Sequence, residues 1–421
     1  MAARKAYIRL LVSIIIYSSG FIDLFFTTTT PKVLLFLTLF VWSVSPILKG
    51  GKGTRETPFG GDKLTQVLLS VFVIWQMLVL LRGVVVNYKI VGVLGQLGNQ
   101  YSIFAFLMPL LIYLNPRYFN FRQFVKILTI IGILFIAYVI VNRNSFFDAS
   151  MVDTSVSMLL SDDEIETRRR WLKKMMYLGK VFLMFGFIMF LPVFLGKKRY
   201  FFILICWAIA LFSCVIGGRR GQSVTLIIMG LFSFYFYVNR KSHSGRGIRW
   251  LLILGSVFAI AYYIYSSFSD MFSIMESRIG DDSRTGLYYF FWHDLGNGFD
   301  WVWGRGVGGT YYCPMNQDGE LVQYRNAIEA GFLHIILSGG IISLTLYVLV
   351  LLSAVIKGFF HTKNHLTKAF AAYIAVSLFN LIPFGLPECS VTFFVVWVGA
   401  AICGSPYYRN MTDEEVKQLF R

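Results

Sequence analysis

The stretch "SCVIGGRRGQSVTL", Ser213 to Leu226, sets two adjacent arginines, Arg219 and Arg220, between apolar runs at 200–217 and 222–238. Each run approaches the roughly 20 apolar residues an α-helix needs to cross a bilayer, so the two guanidiniums fall in a tight turn at a membrane face. Working outward, further runs lie at 8–26, 33–48, 64–81, 101–115, 124–141, 178–195, 250–266, 330–356, 367–384 and 389–404. Hydrocarbon offers no partners to free backbone N–H and C=O groups, so a chain with many such runs closes as a helical bundle. The expected fold is an all-α integral membrane protein of about 12 transmembrane helices, a single polytopic domain over 1–421.

Composition points the same way. The 421 residues are 56% hydrophobic and only 14% charged, with a mean hydropathy of +0.63, which excludes a soluble domain of this length. A net charge of +17 could signal nucleic acid, but in a membrane chain Lys and Arg collect in cytoplasmic loops and beside anionic head groups; membrane lipid is the expected partner and nucleic acid is not. The first run follows "MAARKAYIR" with no small-residue cleavage site and reads as a retained span. Five cysteines are too few for a disulfide framework. Cys206, Cys214 and Cys403 fall in spans and Cys313 falls outside them, while Cys389 stands near the last outside turn, so a bridge between Cys313 and Cys389 stays open.

With the N-terminus placed in the cytoplasm, every even-numbered connection is basic: "KGGKGTRETPFGGDK", "NPRYFNFRQFVK", "GKKRY", "NRKSHSGRGIR" and "KGFFHTKNHLTK". The tail "YYRNMTDEEVKQLFR" likewise carries three basic residues. Short basic loops stay inside, so both termini are expected to be cytoplasmic. The outside segments are then 27–32, 82–100, 142–177, 218–221, 267–329 and 385–388. The segment 142–177, with "SDDEIETRRRWLKKMMYLGK", reads as an interfacial helix. The large loop 267–329, before span 10, is too long for a plain connector.

The outside basic residues near span ends and Gly-rich turns are Arg82, Arg219, Arg220, Arg284, Arg305 and Arg325. A permanently charged, two-pronged fork matches phosphate oxygens better than the point charge of Lys, and the glycines around Arg219 and Arg220 let backbone N–H groups approach an anion. The competing reading is that these arginines anchor to lipid phosphates. The aromatic residues Trp292, Trp301, Trp303, Tyr311 and Tyr312 offer faces for sugar rings or form an interfacial belt. The "GDD" at 280–282 reads as a solvated turn, since no further ligands follow at metal spacing. No metal and no cofactor are expected.

"SRTGLYYFFWHDLGNGFDWVWGRGVGGTYY", Ser283 to Tyr312, and "YRNAIEAGFLHIILSGGIISLTLYVLVLL", Tyr324 to Leu352, resemble the O-antigen ligase and polymerase family. In that family an Arg and an aromatic stretch precede a Gly-x-Gly-x-Gly turn, here "GRGVGG" at Gly304–Gly309, and a Gly-containing step follows in the next span, here "SGGIIS" at Ser338–Ser343. The family's His-Asn eleven residues before that step is replaced by Glu329, with Arg325 one helical turn earlier. Arg219 also stands before Gly230 in the Arg-x10-Gly spacing of O-antigen polymerases, but Arg168 with Gly179 meets it too, so the location of Arg219 carries its assignment.

The resemblance implies a C-type glycosyltransferase (GT-C) fold in the bacterial cytoplasmic membrane, acting on undecaprenyl-diphosphate-linked glycans as donor and acceptor at the outer face. Such systems work beside a flippase and a chain-length regulator and build O-antigen, capsule or exopolysaccharide. The expected activity is polymerisation of repeat units. Ligase-type transfer of glycan to a lipid or protein acceptor is the alternative within the enzymes, and transport of an anionic lipid-linked solute is the alternative outside them. In the expected site Glu329 is the base or orients Arg325, while Arg219, Arg220 and Arg325 hold the diphosphate, with Arg82, Arg284 and Arg305 in support. His334 is a further candidate.

Overall fold

The computed structural model describes residues 2–18, 29–49, 63–87, 108–109, 116–143, 167, 171, 177–216, 219–239, 283–296, 298–317, 320–326, 328, 330–383, 385 and 387–421. The chain is mostly helical. Among the described residues five helices are long and apolar enough to cross a membrane: Leu64–Val85, Phe121–Val141, Lys197–Val215, Arg220–Asn239 and Gly331–Phe360. The expected runs 101–115 (but for 108–109) and 250–266, and nearly all of the segment 142–177, lie outside the described residues.

The chain divides into two compact units, one of residues 1–126 with 284–421 and one of residues 127–283. In the first, Ala2–Ser18 and Thr29–Lys49 run antiparallel: Tyr17 meets Phe36 at 4.9 Å and Arg9 reaches Ser45 at 3.0 Å while covering the Trp42 ring. Lys63–Asn87 lies antiparallel to Gly331–Phe360, with Thr65 beside Ser353, Phe72 beside Tyr347 and Gln76 bonded to Ser343 at 2.7 Å. His365–Asn380 starts where the Asn364 side chain accepts from the Thr367 N–H, an N-cap that satisfies an otherwise orphaned donor.

The last expected run forms the helix Val391–Gly404, whose 14 residues span about 21 Å at 1.5 Å per residue. That is shorter than the hydrocarbon layer of about 30 Å. Nearly every residue of it is buried, so it is enclosed by protein, as a helix apolar on all sides must be.

The segments that read as cytoplasmic within this unit gather at one end. Tyr7 packs edge-on to Phe119, Phe121 meets Tyr408 and Phe420, Arg122 donates to the Arg421 carbonyl, and Lys357 donates to Thr65. The C-terminal helix Asp413–Leu419 opens with a capping box between Thr412 and Glu415. It is fastened to the rest by His365, whose backbone N–H and ring meet the Asp413 carboxylate at 2.8 and 2.6 Å. At the opposite end lie Gly83, Gly304–Gly309, Gly331 and Gly385.

In the second unit the part of the Phe121–Val141 helix beyond residue 126 packs against Tyr177–Phe190 through Gly132 and the Phe135–Phe185 pair. Lys197–Ile216 and Arg220–Asn239 form an antiparallel pair, held by Trp207 Nε1 donating to the Leu226 carbonyl and by Tyr200 with Ser233. A Cβ on Gly230 would come within 2.6 Å of the Trp207 ring, so this glycine makes room for an indole.

The segment 267–329 holds the one departure from an all-α chain among the described residues. Ser283–Leu295 and Asp300–Trp303 are helical, and Tyr311–Gln317 pairs antiparallel with Glu320–Arg325 as a two-stranded hairpin with a register shift between Tyr312 and Met315. The alternation in "YYC" accounts for it: Tyr311 and Cys313 face the core formed with Phe291, Leu295 and Leu333, while Tyr312 faces outward. All five cysteines are buried free thiols, so Cys313 and Cys389 are not bridged.

Candidate functional site

The Gly-rich turn owes its composition to backbone geometry. Gly304, Gly306 and Gly308 all have positive φ, of 70°, 78° and 79°, a region L-residues with side chains rarely enter. The turn is pressed between two helices. A Cβ on Gly306 would run into the Gly83 backbone, and one on Gly304 into Ser338 and Gly339.

The Gly331–Phe360 helix accommodates this by breaking at Gly340, where φ is 71° and ψ −179°. A break releases carbonyls of the preceding turn. The Leu337 and Ser338 carbonyls accept from the N–H groups of Arg305 and Gly306 at 2.7 and 2.9 Å, and the Gly339 carbonyl accepts from Trp75 Nε1 at 2.9 Å. The turn's N–H groups at 305 and 306 are thus spent on the helix, not offered to an anion.

Arg82 and Arg305 are drawn together around two carboxylates. Arg82 Nε donates to the Gly304 carbonyl at 2.6 Å and its Nη2 to Asp300 Oδ1 at 2.9 Å. Arg305 Nε donates to Asp300 Oδ2 at 2.9 Å, its Nη1 to Asp294 Oδ2 and the Thr310 carbonyl, and its Nη2 to the Asp294 carbonyl. Four bonds therefore occupy a guanidinium that has five N–H donors. Burial would lower the pKa of Arg305, but the hydrogen bonds and charges of Asp294 and Asp300 more than offset that and hold it above its ordinary value.

Two arginines and two aspartates make a cluster with no net charge. It clamps the end of Lys63–Asn87, the Gly-rich turn and the hairpin, since Asp294 Oδ2 also accepts from the Tyr312 N–H at 3.0 Å. Sequence reasoning assigned Arg82 and Arg305 to phosphate and overlooked Asp294 and Asp300. The signal was the pair of carboxylates preceding the turn in "HDLGNGFDWVWGRG".

The other expected residues are distributed as follows. Arg325 ends the second strand opposite Tyr311, and directly opposed residues share a face of the ladder; it is half-buried. Tyr311 is fully buried against Phe291, and Trp303 is packed between Trp75 and Phe299, so neither presents a ring face outward. Trp292 is exposed and packs on Trp301 at 4.6 Å, and Tyr312 is exposed beside Tyr324, which sequence reasoning missed. His334 lies in the first turn of Gly331–Phe360, and its carbonyl accepts from the Ser338 hydroxyl. Glu329, the Arg284 side chain and the "GDD" at 280–282 lie outside the described residues.

Arg219 and Arg220 belong to the second unit. The Arg219 N–H closes the turn on the Cys214 carbonyl at 2.9 Å, and its own carbonyl accepts from the N–H and hydroxyl of Ser223. Arg220 is exposed and opens the Arg220–Asn239 helix. The amino end of a helix carries partial positive charge, which disfavours cations and favours anions by about 0.3–1 kcal/mol each. Two guanidiniums there make a place where an anion is electrostatically favoured. No family model, curated protein or solved structure matches the chain.

Proposed function

We propose that the protein is a membrane glycosyltransferase that polymerises lipid-diphosphate-linked oligosaccharide repeat units at the outer face of a bacterial cytoplasmic membrane, with about 12 spans and a GT-C-like architecture. The observation that carries the reading is the pair Arg219 and Arg220 at the amino end of an apolar helix, an arrangement that a diphosphate neutralises. Arg82 and Arg305 serve the scaffold, whereas Arg325 keeps its assignment to the substrate.

In this mechanism the acceptor sugar hydroxyl attacks the anomeric carbon of the donor glycan. The bond from that carbon to the diphosphate oxygen breaks, and undecaprenyl diphosphate leaves with the electron pair. Arg219 and Arg220 stabilise the charge that develops on the leaving oxygens. Glu329 takes the proton of the acceptor hydroxyl.

The test is the lipid-linked glycan pattern of a deletion strain. Accumulation of single capped units supports polymerisation. Long chains left unattached would replace it with ligation, and an unaltered pattern would remove glycan assembly altogether.

A further inference from the structure

We infer that the outward face of the hairpin, Tyr312 with Tyr324, is a glycan-binding platform that seats a sugar ring of the repeat unit; this rests on the reading above. The two tyrosines are cross-strand partners, 41% and 58% exposed, with ring centroids 5.6 Å apart and planes at 69°. The residues on either side of Tyr312, Tyr311 and Cys313, are fully buried on the inward face, so the hairpin does not need the outward rings for its core.

Lipid is the wrong occupant for this face. A two-stranded sheet has two open edges of unpaired backbone N–H and C=O groups, which hydrocarbon cannot satisfy, so the hairpin belongs in water or among head groups. There, rings set at an angle offer a face and an edge to the apolar C–H side of a sugar.

Polar recognition lies beside the rings. Asp294 holds the Tyr312 N–H with Oδ2, while its Oδ1 accepts no hydrogen bond among the described residues and its side chain is 25% exposed. The clamp through Arg305 thereby fixes the platform relative to the Gly-rich turn.

The probe is the repeat-unit oligosaccharide released by mild acid from the lipid-linked pool of the source strain, which carries no lipid or diphosphate. Binding to the full chain in detergent micelles is measured by saturation-transfer NMR. Tyr312→Ala and Tyr324→Ala are each expected to weaken binding about tenfold, the equivalent of one ring contact, while Tyr312→Phe and Tyr324→Phe, which keep the ring, stay within about twofold.

Wild-type affinity in both alanine variants would overturn the platform and leave polymerisation standing if the deletion strain accumulates single units. An absence of binding by the wild-type protein, together with an unaltered deletion strain, would overturn both.

Discussion

Replacing Gly340 with alanine tests the central feature of the site, the break in the Gly331–Phe360 helix. At φ 71° and ψ −179° the backbone occupies a region essentially restricted to glycine, and forcing alanine there costs about 1–3 kcal/mol. The new Cβ would also run into the Val302 carbonyl, and overpacking of that kind costs about 1–3 kcal/mol more. Together the expected loss is about 4 kcal/mol. Were the helix straight at this position, the substitution would instead stabilise it by about 0.5–1 kcal/mol, so the sign alone discriminates. Unfolding of the purified protein in detergent should show Gly340→Ala melting well below wild type, and Gly196→Ala, whose Cβ meets nothing within 4 Å, melting with it. A Gly340→Ala protein as stable as wild type would refute the kink and the carbonyl contacts to Arg305 and Gly306 that depend on it.

Four further outcomes are expected. Arg219→Lys and Arg220→Lys should each reduce chain growth while protein level is unchanged, because Lys keeps the charge and loses the fork; full activity in both would favour simple lipid anchoring. Glu329→Gln should stop polymerisation while single lipid-linked units accumulate, since an amide accepts no proton at neutral pH, and near-normal long chains would remove Glu329 from the mechanism. Asp300→Asn combined with Arg82→Gln in a double-mutant cycle should report a coupling of about 1 kcal/mol from the 2.9 Å pair, and additive effects would deny the clamp. Burial would raise the Asp413 pKa, but the hydrogen bonds and charge of His365 hold it below its ordinary 3.8. The stability it gives is therefore complete above that value and lost as pH falls through the lower native one, so proteolysis near residue 413 should rise only in that acid window; release already at neutral pH would contradict the latch.

The apolar runs were legible in the sequence because their period and length answer directly to the membrane, a solvent whose demands do not depend on tertiary contacts. Runs at 64–81, 124–141, 200–217, 222–238 and 330–356 appear as helices within a few residues of their expected bounds. "GRGVGG" was legible as a tight turn because alternating glycines announce positive φ. What the sequence could not disclose is which charges face one another. Arg82 and Arg305 lie 223 residues apart, and so both looked available to phosphate until folding placed Asp300 between them. The hairpin was hidden because seven- and six-residue strands carry a weak alternating signal inside an aromatic-rich stretch. The exposure of Tyr312 and Tyr324 against the burial of Tyr311 depends on strand pairing, which flips every side chain with a one-residue change of register. Hydropathy is a property of each segment alone and survives in the sequence, whereas charge pairing and ring exposure are properties of the distance between segments and are decided only when the chain packs.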